Sequence, residues 1–212
     1  MPRQGLPAHL KRLLAILYCD SLLEKRTTLQ SIAKEFSIRN EHAQQICREA
    51  RAFEFITNKD SNYELTEKGR SSIKVVMVGG VFNIIHAGHL HTLKAAKELG
   101  DVLVVSIATD KTVRTTRGKE PLIPEQERVK LVDSVKYVDA ALVGSEGNIF
   151  DTVTRVRPDV IAIGYDQKHD ETALSEEARR RGLAVKVVRL SSPIPEIKTS
   201  KITSTAEATS EF

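Results

Sequence analysis

The residues that decide the fold of this chain are VVMVGGVFNIIHAGH, at positions 75–89. The first four form a continuous apolar run, which is typical of a parallel strand buried on both faces. Two glycines follow, and then a stretch that carries His86 and His89 three residues apart. A helical pattern begins near Gly88. The stretch therefore predicts a buried strand, a tight turn and the first turn of a helix.

Beyond this stretch, apolar runs alternate with helical patterns towards the C-terminus. Such alternation predicts βαβ crossovers and an α/β domain with a parallel, Rossmann-like sheet of five strands, placed at residues 73–212. In sheets of this kind, ligands bind beyond the carboxyl ends of the strands. The predicted strands are 75–78, 102–107, 138–143, 159–163 and 184–190, with helices at 88–99, 124–136, 149–156 and 172–181.

Residues 1–72 follow another pattern, and we expect them to form a separate small domain. Apolar residues at helical spacing predict three short helices, and two β-prone runs around residues 58–62 predict a hairpin. This order of elements resembles a winged helix-turn-helix domain. The resemblance implies DNA binding, and the candidate contacts are Arg39, Gln44, Gln45, Arg48 and Arg51. Glu41 and Glu49 reduce the net positive charge of the third helix. The alternative is that this domain serves in dimerisation or docking.

The composition is that of a globular protein, with 41% hydrophobic and 28% charged residues. A net charge of +4 favours anionic partners such as nucleotides or nucleic acid. Cys19 and Cys47 lack the spacing of a metal site, which indicates free thiols in a reducing compartment and no metal held by the protein. No apolar run approaches the ~18 residues needed to span a bilayer. We therefore expect a cytoplasmic protein with no membrane partner.

The chemistry of residues 79–89 is suited to phosphate. A helix that begins just after a strand presents free N–H groups and the positive end of its dipole. Glycine at position 88 lets a phosphate approach the backbone closely. The imidazoles of His86 and His89 can donate hydrogen bonds to phosphate oxygens as charge accumulates there, so these two are the candidate catalytic residues. The other predicted nucleotide contacts in this stretch are Gly80, Val81, Phe82, Ala87 and Gly88.

This stretch closely resembles the H-x-G-H box of the nucleotidylyltransferase superfamily. Three further segments match that superfamily in order and spacing. Residues 123–139 resemble the helix-and-strand segment of cytidylyltransferase-like proteins, and residues 163–167 resemble the box at the end of the fourth strand. Residues 197–202 are similar to the late Ser/Thr-rich motif. Together with the H-x-G-H box, these segments cover most of residues 73–202.

The resemblance has implications for binding and assembly. It implies that Asp166 contacts the nucleoside and that Thr199 and Ser200 hold the triphosphate. It also implies Mg²⁺ or another divalent cation carried by the nucleotide, and a homodimer. One departure is Asn83, where the family commonly has aspartate, so a charge near the box is missing. Further candidate contacts to phosphate or acceptor are Asn83, Lys111 and Arg128, with Lys111 in a basic loop predicted over residues 111–119.

The substrates are indicated only by family similarity. Residues 117–124 and 164–167 resemble the archaeal FAD synthetase branch, whose members transfer AMP from ATP to FMN, and this reaction is favoured. Residues 199–202 lean towards glycerol-3-phosphate cytidylyltransferases, which use CTP. A third hypothesis is a regulator that binds DNA through a winged helix and senses a nucleotide without turnover. The acceptor in either enzyme is a small molecule bearing a phosphate.

Overall fold

The structure is a computed structural model, and it describes residues 5–165, 167 and 169–191. The predicted site residues Asp166, Thr199 and Ser200 lie outside these ranges. The chain divides into two compact units, Met1–Lys74 and Val75–Phe212. No helix among the described residues is long and apolar enough to cross a membrane.

The first unit contains helices followed by a hairpin. Thr28 begins the second helix with a capping box, because its hydroxyl accepts the N–H of Ser31 while the Ser31 hydroxyl accepts the N–H of Thr28. Ser37 ends that helix in the left-handed region, at φ 55°. The described elements are α1 (Ala8–Leu22), α2 (Leu29–Phe36), α3 (Asn40–Ala52), β1 (Ile56–Lys59), β2 (Asn62–Leu65) and α4 (Glu67–Ser71).

The hairpin is tighter than the sequence suggests. Both strands extend into the polar cluster, and only Asp60 and Ser61 connect them. These two residues have φ values of 51° and 61°, the pair of positive angles that a two-residue hairpin turn requires. Cys19 and Cys47 are buried, and neither forms a disulfide among the residues that the structure describes, as expected. Burial raises the pKa of the Cys47 thiol to about 11, so this thiol stays protonated at neutral pH.

The second unit contains a five-stranded sheet in which every neighbouring pair is parallel. This confirms the predicted α/β, Rossmann-like fold. The strands are β3 (Val75–Gly80), β4 (Val102–Ile107), β5 (Ala140–Val143), β6 (Val160–Ile163) and β7 (Lys186–Arg189). The helices are α5 (Ala87–Lys97), α6 (Asp110–Arg117), α7 (Glu125–Asp133), α8 (Ile149–Val156) and α9 (Glu171–Arg180).

The order of the strands places a crevice beside the central strand. The order across the sheet is β5-β4-β3-β6-β7. After β3, the chain adds β4 and β5 on one side of this strand, and it then adds β6 and β7 on the other side. Ligands of open α/β sheets bind at this topological switch point, outside the carboxyl ends of the strands. In this unit those ends belong to β3 and β6.

Burial and two carboxylates hold the central strands in register. All six residues of β4 and the first four of β3 are buried, and all of them except Ser106 are apolar. At the opposite edge from the crevice, Asp159 accepts the N–H of Val75 at 2.8 Å, and Asp139 accepts the N–H of Leu103 at 2.6 Å. These contacts fix the start of β3 and β4, and therefore the height at which the two strands end.

One predicted segment is wrong. The structure has helix α6 where the sequence indicated a basic loop after β4. Thr109 begins α6, since its hydroxyl accepts the N–H of Thr112, and Gly118 ends it at φ 65°. Lys111 therefore lies in the first turn of a helix. Smaller differences are a later start of β5, at Ala140, and an earlier end of α7, at Asp133.

Candidate functional site

The turn after β3 is shaped by Phe82. This residue has a positive φ of 54°, a conformation that costs energy for a bulky side chain, and its ring is buried. The ring lies directly over Gly80, because a Cβ atom built there would be only 2.6 Å from Cε2 of Phe82. Gly80 is therefore required by a close approach of a side chain.

The same ring contacts the second histidine of the box. The ring centroids of Phe82 and His89 are 5.0 Å apart, and those of His86 and His89 are 3.9 Å apart in a stacked pair. Both histidines are partly exposed. The predicted catalytic pair is therefore brought together, with one ring held between an apolar neighbour and the other imidazole.

Helix α5 begins beside this pair of rings. His86 is its N-cap residue and makes no capping hydrogen bond through its side chain, and the first turn carries no acidic residue. The N–H groups of a first helical turn have no partner within the helix, and they carry the positive end of the dipole. Ala87 is exposed and Gly88 half-buried. Two of the predicted contacts, Ala87 and Gly88, thus lie at a helix start that favours an anion.

Asn83 lies inside the turn. Its Oδ1 is buried and accepts no hydrogen bond from the residues that the structure describes. A buried oxygen without a donor is unfavourable, and a ligand donor would relieve it. This observation supports the predicted role of Asn83 as a ligand contact.

Arg128 supports the turn from within the protein. Its side chain is completely buried, so it faces no solvent as a phosphate or acceptor contact would. The guanidinium donates to the carbonyl of Val81 at 2.6 Å, to Asp110 at 2.6 Å and to the carbonyl of Ile123 at 2.8 Å. It therefore joins the box to the start of α6 and to the segment before α7. The resemblance of residues 123–139 to a family segment did not indicate this structural role for Arg128.

Lys111 is paired with a protein carboxylate. Its ammonium lies 2.7 Å from Glu146, and both side chains are largely exposed. An exposed pair of this kind is worth less than about 1 kcal/mol, so an arriving phosphate could displace Glu146. Its role as a contact stays a prediction.

The loop after β6 reaches the same edge of the sheet. Gln167, which the sequence analysis did not single out as a site residue, donates through Nε2 to the carbonyl of Gly79 at 2.7 Å. Its Oε1 accepts the N–H of Gly164 at 2.9 Å. The box after β3 and the loop after β6 are therefore connected at the switch point.

The described ranges contain no group of three or more His, Cys, Asp or Glu side chains placed to hold a metal ion. Imidazoles and helix N–H groups fit a phosphate.

The candidate DNA contacts lie in the first unit. Gln44, Gln45, Arg48 and Arg51 are exposed on α3, and Arg39 is exposed just before that helix. Arg48 donates to Gln45 at 2.8 Å, within the same face. The winged helix-turn-helix assignment and its contacts stay predictions.

Comparisons with known proteins agree on the second unit. A family model described as "Cytidylyltransferase-like" matches residues 77–207. A curated "FAD synthase" of Thermoplasma volcanium is 48% identical over 116 residues, which are 55% of this chain and 81% of the relative. A "FAD synthase" of Pyrococcus abyssi is 45% identical over 137 residues, 63% of this chain and 92% of the relative.

A solved structure shares the fold. The crystal structure of a Thermoplasma volcanium protein described as a lipopolysaccharide core biosynthesis protein is 47% identical and has a TM-score of 0.55. The match covers 57% of this chain and 98% of that chain.

The close approach at Gly80 gives a first prediction. In Gly80→Ala the new methyl group must displace the ring of Phe82, and His89 loses the neighbour that positions it. We expect kcat/KM to fall by about tenfold or more, as for a small misplacement of a catalytic group. Gly79→Ala is the matched control, because the nearest atom to its Cβ is 4.0 Å away. Equal losses in the two variants, measured at equal thermal stability, would show that the ring does not position the box.

The burial of Arg128 gives a second prediction. Arg128→Met leaves Asp110 without its cation and the carbonyl of Val81 without its donor. We expect the free energy of unfolding to fall by about 3–5 kcal/mol. Arg114→Met removes an exposed pair with Glu120 and should change it by less than about 1 kcal/mol. Urea denaturation followed by circular dichroism measures both, and similar small changes would contradict the structural role.

Proposed function

The chain belongs to the cytidylyltransferase-like family and is a nucleotidyltransferase, and we propose that its reaction is that of an FAD synthase. In this reaction AMP passes from ATP to FMN, and pyrophosphate is released. The observation that carries the choice of substrates is the identity of 45–48% to proteins named FAD synthase, over most of their length.

The chemistry follows from the pair of imidazoles at a helix start. A phosphate oxygen of FMN attacks the α-phosphorus of ATP in line, a P–O bond forms, and the bond from that phosphorus to the β-phosphate oxygen breaks. Stacked rings 3.9 Å apart can both donate to one reacting phosphate. His86 and His89 thereby stabilise charge that grows in the transition state. No nucleophilic side chain is needed, since the acceptor supplies the attacking oxygen.

The remaining contacts are part of the same proposal. The N–H groups at the start of α5 bind the triphosphate, and Oδ1 of Asn83 accepts a hydrogen bond from a donor group of the nucleotide or of the acceptor. Phe82 and Arg128 hold the turn. Asp166, Thr199 and Ser200 take the roles that the family resemblance assigns to them. A magnesium ion that enters with ATP would neutralise charge on the leaving pyrophosphate. The homodimer implied by the resemblance is also a proposal.

The substrates are tested by offering each pair separately. The purified protein is incubated with Mg²⁺ and either ATP or CTP, in the presence of FMN or glycerol 3-phosphate. We expect FAD and pyrophosphate from ATP with FMN, and little pyrophosphate from the other three pairs. Pyrophosphate from CTP and glycerol 3-phosphate alone would replace the proposal by a cytidylyltransferase. Absence of turnover with all pairs would favour a nucleotide-sensing protein.

The role of His89 is tested within the preferred pair. His89→Ala removes one hydrogen bond donor from the reacting phosphate, so we expect kcat to fall by about two to three powers of ten. His91→Ala, two residues further along α5, is the matched control and should keep near-normal kcat. A folded His89→Ala protein with near-normal turnover would mean that the box has another role.

A second function, DNA binding, is supported by the distribution of charge. The first unit, residues 1–74, has 13 Lys and Arg against 9 Asp and Glu, while residues 75–212 have 19 of each. The net charge of +4 therefore belongs to the first unit. An exposed helix that presents Arg48 and Arg51 beside amide side chains can reach phosphates and base edges in a major groove. We propose that α3 binds DNA.

This second function predicts a salt-dependent and local effect. The double variant Arg48→Ala/Arg51→Ala should weaken binding to duplex DNA and lower the slope of log K against log salt by about two. Lys25→Ala/Lys68→Ala removes the same charge from exposed positions outside α3 and should lower the slope less. Fluorescence anisotropy measures both. Equal effects in the two doubles, or no binding by the unaltered protein, would contradict the assignment to α3.

A further inference from the structure

The side chain of Gln167 occupies a particular place between two strands. The pairing of β3 with β6 ends at Val78 and Ala162, so Gly79 and Gly164 lie beyond the last paired residues. Strands that separate at a switch point open the crevice in which ligands bind. Gln167 spans this opening, since its amide contacts Gly79 on one side and Gly164 on the other.

The two contacts determine the orientation of the amide. Gly79 offers a carbonyl, which needs an N–H donor, and Gly164 offers an N–H, which needs an acceptor. Only a group that carries a donor and an acceptor at this length can satisfy both partners, and glutamine does so. The distances of 2.7 and 2.9 Å are those of well-formed hydrogen bonds.

The outer side of the same loop is held by Arg189, the last residue of β7. Its guanidinium donates to the carbonyls of Gly164, Gln167 and His169, at 3.2, 2.9 and 2.7 Å. It also donates to Glu171 at 2.8 Å, in the first turn of α9. The described residues of the loop are thus held on both sides, by β7 and by β3. The contact with β3 is the one that links it to the H-x-G-H box.

We propose that Gln167 is a positioning residue for the nucleotide. It holds the loop after β6 at a fixed distance from the box, so that the loop and the helix start at Ala87 bind one nucleoside triphosphate together. The adjacent position, Asp166, is the one that the family resemblance assigns to the nucleoside. The inference rests on the proposed function only in taking a nucleoside triphosphate as the ligand.

Two substitutions separate the donor from the acceptor. Gln167→Glu keeps the length of the side chain and an acceptor for the N–H of Gly164. As a carboxylate it cannot donate to the carbonyl of Gly79, but once protonated it can donate again. Gln167→Ala removes both contacts at every pH.

The expected results are read from ATP binding and from steady-state kinetics. At pH 8, both variants should bind ATP about tenfold more weakly, because the carbonyl of Gly79 loses its donor and the loop after β6 is no longer held beside the box. At pH 4, where a glutamate with the ordinary pKa of about 4.3 is mostly protonated, Gln167→Glu should recover part of the affinity of the unaltered protein, whereas Gln167→Ala should not. KM for ATP should rise at pH 8 with little change in kcat, because binding rather than charge stabilisation is lost.

Gln126→Ala is the matched control, since Gln126 is exposed on α7 and its loss should leave ATP affinity and KM unchanged. Isothermal titration calorimetry on the full chain at both pH values gives the affinities. Unchanged affinity of Gln167→Ala would overturn the inference, as would equal affinities of the two variants at pH 4. ATP binding without FAD formation would reject the proposed substrates and leave the inference standing. Absence of binding of both ATP and CTP by the unaltered protein would overturn both.

Discussion

The site depends on the conformation of one turn, in which Phe82 has a positive φ angle after a strand that ends in two glycines. This conformation is unfavourable for a bulky residue unless its surroundings hold it. Here a missing Cβ at Gly80 makes room for the ring, and Arg128 binds the carbonyl of Val81. The strained turn brings the first histidine to the start of α5 and the second beside the Phe82 ring. The strained turn thereby fixes the positions of the two imidazoles.

The sheet adds a second constraint, because it decides what lies beside the turn. Since β3 is central and β6 returns to its free side, the box and the loop after β6 meet at one crevice. A continuous ladder between the two strands would close that crevice. Instead the pairing stops at Val78, and the side chain of Gln167 continues the connection. The space between the ends of β3 and β6 is therefore open to a ligand, and Gln167 holds the two strand ends at a defined distance.

The local sequence pattern was sufficient to predict the parallel sheet and to identify the pair of histidines that follows β3. The apolar runs of β3 and β4 are buried on both faces. Such runs can be recognised in the sequence without knowing which distant residues they contact. The contacts of Arg128 and Gln167 could not be predicted from the sequence, because each side chain binds a backbone carbonyl far away in the chain, Val81 for Arg128 and Gly79 for Gln167. Helix α6 was missed because three of its eight residues are threonine, a weak helix former, and because it buries only Val113. Its cap at Thr109 and its end at Gly118 were the signals that could have identified it.

The central claim is that the junction of β3 and α5 holds the phosphates of a nucleoside triphosphate. A crystal structure of the protein soaked with a non-hydrolysable ATP analogue tests this claim most directly. We expect the α-phosphate within hydrogen-bonding distance of His86 and His89, with further phosphate oxygens on the N–H groups at the start of α5. A well-ordered triphosphate bound elsewhere, with both imidazoles facing away from it, would contradict the account.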